Sequence, residues 1–242
     1  MTSLRLERSA FVDKKSAKES TANDLRKGER TREEILDQAL RTAARGGLGT
    51  LSIGNLAKEV NMSKSGLFVH FGSKENLEQA VVDRASDLFF NYVVLPTEES
   101  GLEGIEQLWT LCDLWLGLVE DRVFAGDYFF TGAFCQCARQ DGSIPQRIAE
   151  TVWRWHKALK RAVEKGQRLG EILDTIDSKR IALELNGLLL GAQWSHLMEG
   201  EDRTQARSAI LAKLASIATD EIPASAFASL KDWRKYLESR RP

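Results

Sequence analysis

Lys64, Ser65, Phe68 and Val69 share one side of a short stretch whose opposite side carries Leu67 and Phe71 at i, i+4 spacing. An ammonium and a hydroxyl can hydrogen-bond to base edges, and two apolar side chains can meet thymine methyl groups. That side therefore has the chemistry of a face that reads a DNA major groove. Ser52, Ser63, His70 and Lys74 stand where short helices should start or end. Hydroxyl, imidazole and ammonium groups at those places, with free backbone amides, can meet phosphates.

Other chemistries are less well supplied. His196 and Glu199 are three apart and could share a metal ion, but no second such pair exists, and a surface pair is the simpler reading. The three cysteines, Cys112, Cys135 and Cys137, are an odd number, which argues against a disulfide framework. None has a cationic cluster nearby to make it a reactive thiolate. No glycine-rich phosphate loop follows a strand, and no nucleophile elbow is present. Neither catalysis, a cofactor nor a metal is expected.

The elements that must position the groove-reading face are legible from caps and stops. Thr31 and Glu34 form a capping-box pattern at the start of a helix whose apolar stripe is Ile35, Leu36, Ala39, Leu40 and Ala43, ended by Gly46-Gly47. Thr50 or Ser52 caps a second short helix with Ile53, Leu56, Ala57 and Val60 inward, and Asn61 suits the left-handed conformation of a tight turn. Ser63 caps the third, from 64 to about 71. Three short helices with a tight turn between the last two make a helix-turn-helix unit. Ser73 then caps a long helix expected to end near Val94, before Pro96, and further helices are expected at 102–122, 127–139, 144–165, 178–198, 204–217 and 224–240.

Of 242 residues, 43% are hydrophobic and 29% charged, which is globular rather than disordered. No apolar run approaches the roughly 20 residues of a membrane span, and no signal-peptide block opens the chain, so a cytoplasmic protein is expected. The net charge of −1 conceals an asymmetry: residues 1–77 carry 14 Lys and Arg against 10 Asp and Glu, whereas the rest carries 20 against 25. A basic front suits a polyanion. Residues 1–28, which include Arg5, Arg8, Lys14, Lys15, Lys18, Arg26 and Lys27, read as a flexible basic arm.

The stretch from Gly47 to Leu77, ending in Gly66-Leu67-Phe68-Val69-His70-Phe71-Gly72-Ser73-Lys74-Glu75, resembles the DNA-binding domain of the TetR family of transcriptional regulators. The likeness runs without a gap from about Thr31 to Leu77. It implies an all-α protein with an N-terminal three-helix helix-turn-helix domain (29–77) joined to a larger helical ligand-binding and dimerisation domain (78–242). It also implies a homodimeric repressor of a palindromic operator on double-stranded DNA, released by a small-molecule effector. Ser52, Ser63, Lys64, Ser65, Phe68, Val69, His70 and Lys74 are then the DNA contacts. Where this chain has Phe68 the family commonly has a tyrosine whose hydroxyl meets backbone phosphate, so one such contact is missing, and the arm is longer than the family usually carries. The competing reading is a cytoplasmic helical ligand-binding or enzyme domain in which the helix-turn-helix is only a packing unit.

Likeness in the rear part does not carry residues across, so expectations there rest on pattern. The 178–198 segment is apolar on more than one face, and Leu185, Leu188, Leu189 and Ala192 are expected at a dimer interface, with Gly187 and Gly191 permitting a close helix crossing. Trp153 and His156 lie one turn apart on the side away from the stripe of Ile148, Val152, Trp155, Leu159 and Val163, which would be wasteful on a solvated surface. With Trp109 and Phe130 they are expected to line a pocket for an apolar or aromatic effector.

Overall fold

Gly28, Glu29 and Arg30 are already helical in the computed structural model, which describes residues 28–120, 129, 132–133, 142–200 and 203–240. Residues 1–27 of the expected basic arm lie outside these residues. Helix α1 covers residues 28–46, so Thr31 sits inside it and is not its cap. A cap needs an extended backbone, and here Arg30 already reaches Glu34 across a helical turn at 3.1 Å. Gly47 closes α1 as expected: its φ of 85° is left-handed, and its N–H donates to the Ala43 carbonyl at 2.7 Å.

Helix α2 (Ile53–Glu59) is capped by Ser52, which accepts from the Asn55 amide at 3.1 Å. Thr50 instead ends a preceding 3-10 turn, its hydroxyl donating to the Gly47 carbonyl. Asn61 takes φ 53°, the one positive φ outside glycine among the described residues, and turns the chain into α3 (Lys64–Phe71). Ser63 and Ser73 cap α3 and α4 (Lys74–Phe89), accepting from the amides of Gly66 and Asn76 at 3.0 Å each. Glu59 accepts from Gln38 and Thr42 of α1, and Arg84 of α4 donates to Asp37, so α1, α2 and α4 are tied together.

Pro96 does not end the long helix. The chain runs on from α4 through a π turn (Phe90–Val94) into α5 (Leu95–Glu99), where Pro96 lies in the first turn. A proline inside an α ladder clashes with the carbonyl four residues back. The widened π turn opens the ladder there, and an i→i+5 bond from the Leu95 N–H to the Phe90 carbonyl closes it.

Helices α6 (Gly104–Glu120), α7 (Ser143–Arg168), α8 (Ser178–Glu199) and α9 (Thr204–Ala215) follow the expected spans to within a few residues. Of the helix expected at 127–139, only Phe129, Gly132 and Ala133 are described, and they are helical. The chain closes with a 3-10 turn (Ala224–Phe227) and α10 (Leu230–Ser239), capped by Ser229. Trp233 anchors this end: it is fully buried, stacked between Phe227 and Tyr236 at 5.2 and 5.3 Å and edge-on to Trp109 at 5.8 Å. Deleting such a side chain costs about 3–5 kcal/mol. Among the described residues there is no strand, only an isolated bridge between Ile172 and Ala218. One apolar core runs from Ile35 to Trp233, and among the described residues no helix is long and apolar enough to cross a membrane.

Candidate nucleic-acid interface

Helix α3 is held by Leu67 and Phe71, both buried, with the Arg32 guanidinium 5.1 Å over the Phe71 ring. That anchoring turns the opposite face out: Phe68 is 54% and Val69 83% exposed, with Lys64 and Ser65 exposed beside them. These four residues form one contiguous outward surface. The Lys64 stem lies along α2, and a Cβ added to Gly54 would meet its Cε at 2.9 Å, so the glycine makes the room.

The other predicted contact residues flank that surface. Ser52 and Ser63 use their hydroxyls as caps, and Ser65 Oγ lies 3.0 Å from Ser63 Oγ. Each hydroxyl keeps a lone pair or proton for a further partner. His70 is half-buried in the last turn of α3. Lys74, in the first turn of α4, pairs with Glu78 at 3.4 Å but keeps half its side chain in solvent. Sequence reasoning missed Gly54, whose role shows only once α2 and α3 are side by side.

Of the residues expected to bind an effector, Trp109, Trp153 and His156 do not come together. Trp109 is in the core against Trp233. Trp153 is 60% exposed, and what covers its ring is the Lys157 ammonium, 4.6 Å away one turn along α7. A cation stacked on an indole stabilises an exposed ring. Phe130 lies outside the described residues. His156 does turn inward: its Nε2 is buried without a hydrogen-bond partner, and burial pulls the imidazole below its ordinary pKa. An open cavity of about 1140 Å³ lies elsewhere, between the Ser100–Leu102 turn and Glu106, Glu171 and Arg240. Trp109, Trp153 and His156 do not line it. Cys112 is buried, and burial followed by the neighbouring Asp113 raises its thiol far out of the reactive range; Cys135 and Cys137 lie outside the described residues.

The dimer residues divide between inside and outside. Leu185 and Leu189 are fully buried within the protomer, while Leu188 and Ala192 are half-buried at the edge of the helix. The exposed apolar side chains of α8 are instead Leu183 (63%), Trp194 (48%) and Met198 (75%), which with Gly187 and Gly191 form a stripe at i, i+4, i+8, i+11 and i+15. A Cβ on either glycine would meet nothing within 4 Å. Beside it, α9 exposes the small residues Ser208, Ala209, Ala212 and Ala215. An apolar helix with two inner faces does not reveal, from sequence, which face its own chain covers.

Comparison with known proteins agrees with this architecture. Residues 35–81 match the family profile described as bacterial regulatory proteins, tetR family, and residues 104–210 match that of the tetracyclin repressor-like C-terminal domain. No curated protein is similar in sequence at a significant level. Among solved structures, a TetR transcriptional regulator from Chloroflexus aurantiacus superposes with a TM-score of 0.70 at 20% identity, over 80% of this chain and 98% of that one. A putative transcriptional regulator from Saccharomonospora viridis, solved in complex with choline, gives 0.67 at 23% identity over 79% and 99%. AibR, solved in complex with isovaleryl coenzyme A and operator DNA, gives 0.61 at 19% identity over 77% and 97%. With both of its parts matched, front and rear, the chain belongs to the tetR family of bacterial regulatory proteins and is a DNA-binding transcription regulator.

Proposed function

We propose that this regulator is a repressor, acting in the cytoplasm as a homodimer on a palindromic operator and released by a small-molecule effector. The observation that carries the reading is α3, whose outer face combines the exposed apolar pair Phe68 and Val69 with Lys64 and Ser65. A solvated helix has no use for such a pair, whereas a major groove offers thymine methyls to both and guanine acceptors to Lys64. Ser52, Ser63, His70 and Lys74 then take backbone phosphates. In this reading residues 29–77 bind DNA and residues 78–242 bind the effector and dimerise. The open stripe on α8 with the small residues of α9 is the dimer surface, since an apolar stripe of this length on a helix is otherwise left in water.

Two relatives were solved with small molecules, isovaleryl coenzyme A with operator DNA in one case and choline in the other, which supports an effector here. Its position is proposed near His156, whose buried, unpartnered Nε2 a polar group on an otherwise apolar or aromatic ligand would satisfy. A ligand can shift the protein only by its different affinity for the DNA-competent and incompetent forms. Operator must then weaken the ligand by the same factor, about 5- to 150-fold for couplings of about 1–3 kcal/mol. Tryptophan fluorescence titration of candidate effectors, with and without operator, tests this. A tight ligand whose affinity ignores the operator contradicts ligand-coupled release.

A further inference from the structure

Helix α4 carries the front unit and meets the rear helices along α7, and the contacts between them form a regular series. Ser143 Oγ donates to Glu75 Oε1 at 3.0 Å and accepts from Gln79 Nε2 at 2.5 Å. One turn on, Arg147 Nη1 bridges both carboxylate oxygens of Asp83 at 2.5 and 2.7 Å. Thr151 Oγ1 lies 3.1 Å from Ser86 Oγ, and Trp155 meets Phe89 edge-on at 5.4 Å. On α7 the rungs are four residues apart, and on α4 three or four, so the two helices run parallel and in register.

The rungs change in kind along the series. Those nearest the front unit are polar and solvent-facing, with the Arg147 and Asp83 side chains 43% and 48% exposed, whereas Ser86, Thr151, Phe89 and Trp155 are buried. The far end is thus set by packing, and the near end by groups that can part and re-pair without opening the core. Arg84, adjacent to Asp83, is bound to Asp37 of α1 at 3.0 Å, so α4 moves with the front unit. We infer that Asp83 and Arg147 are positioning residues: their ion pair sets the angle at which the DNA-binding unit stands on the rear helices, and with it the fit of α3 to DNA. This rests on the DNA-binding reading for its consequence, but the angle is a property of one protomer.

Spin labels at Val69→Cys on α3 and Arg161→Cys on α7, with Cys135 and Cys137 replaced by serine and the doubly labelled chain diluted into excess unlabelled chain so that each assembly carries one labelled protomer, report the angle without DNA. The inference predicts one narrow distance in the parent, a broadened or displaced one in Arg147→Ala, and recovery in the charge-swapped pair Asp83→Arg with Arg147→Asp. Operator affinity of the otherwise unlabelled full chain should fall about three- to thirtyfold in Arg147→Ala and return in the swap. Distances unmoved in Arg147→Ala, or not restored by the swap, overturn the ion pair's role. Distances that move while affinity for a bound operator does not overturn its effect on DNA. If no DNA is bound specifically, the DNA-binding reading fails, and the distances alone still decide whether the pair sets the angle.

Discussion

Replacing Leu183 by arginine should convert the proposed homodimer to monomers without unfolding the chain. Leu183 is 63% exposed on the open stripe of α8, so a partner has more than half of its surface left to cover. Full burial of a leucine contributes about 1.5–3 kcal/mol, hence about 1–2 kcal/mol for the remainder. In a two-fold contact the residue is used twice, giving about 2–4 kcal/mol for the pair. Leu183→Ala should therefore raise the dimer dissociation constant by roughly 30- to 700-fold, at about 1.4 kcal/mol per tenfold. Leu183→Arg should go further, because two guanidinium groups would be desolvated against apolar neighbours. Sedimentation velocity over a dilution series reads the constant, and far-UV circular dichroism checks that the helices survive. Leu185→Arg is the contrast: that residue is buried in its own protomer and its replacement should unfold the chain. A Leu183→Arg protein that sediments as the same dimer as its parent refutes the assignment of this face.

Further outcomes follow from the front unit and from His156. Lys64→Ala should relax sequence preference with a loss of about 1–3 kcal/mol at the affected base, while Lys74→Ala should weaken all sequences alike; titrations on matched and mutated operators at fixed salt separate them. Asn61 holds φ 53°, so Asn61→Gly should fold normally and Asn61→Val should lose about 1–2 kcal/mol in urea unfolding; equal stability of the two would contradict the turn's strain. Burial lowers the folded-state pKa of His156, so the unfolded chain binds its proton first on acidification. Stability from this group is therefore complete above about pH 6.5 and is lost as pH falls below it, until the folded pKa is reached. Thermal unfolding between pH 7.5 and 5, ranges chosen to span about 6.5, should show a shallower pH slope in His156→Gln than in the parent.

The short-range features were legible in the sequence because their causes are local. Ser52, Ser63 and Ser73 cap the helices they precede, and Asn61 and Gly47 turn where left-handed backbone is needed, since each acts within four residues of itself. Leu67 and Phe71 likewise fixed which side of α3 faces out. Misreadings arose where a distant or alternative partner decides. Pro96 is tolerated because a π turn precedes it, a distortion that no propensity announces. Leu185 and Leu189 face inward because α8 has apolar residues all round, and only the packed neighbours choose among its faces. Trp153 stays 60% exposed with the Lys157 ammonium over its ring, a contact at i, i+4 that the spacing permits but does not dictate.

Selection of genomic fragments on the purified protein, followed by footprinting at physiological salt, tests the central reading most directly. Two recognition helices related by a two-fold axis should protect one face of a palindrome whose half-sites lie about 34–36 Å, one helical turn, or a multiple of it apart. Phe68→Ala and Val69→Ala should abolish the preference for that site while leaving weak, salt-sensitive binding to any duplex. Retention of fragments without a shared sequence, or a footprint unchanged in both variants, would contradict the assignment of α3 as the element that reads DNA.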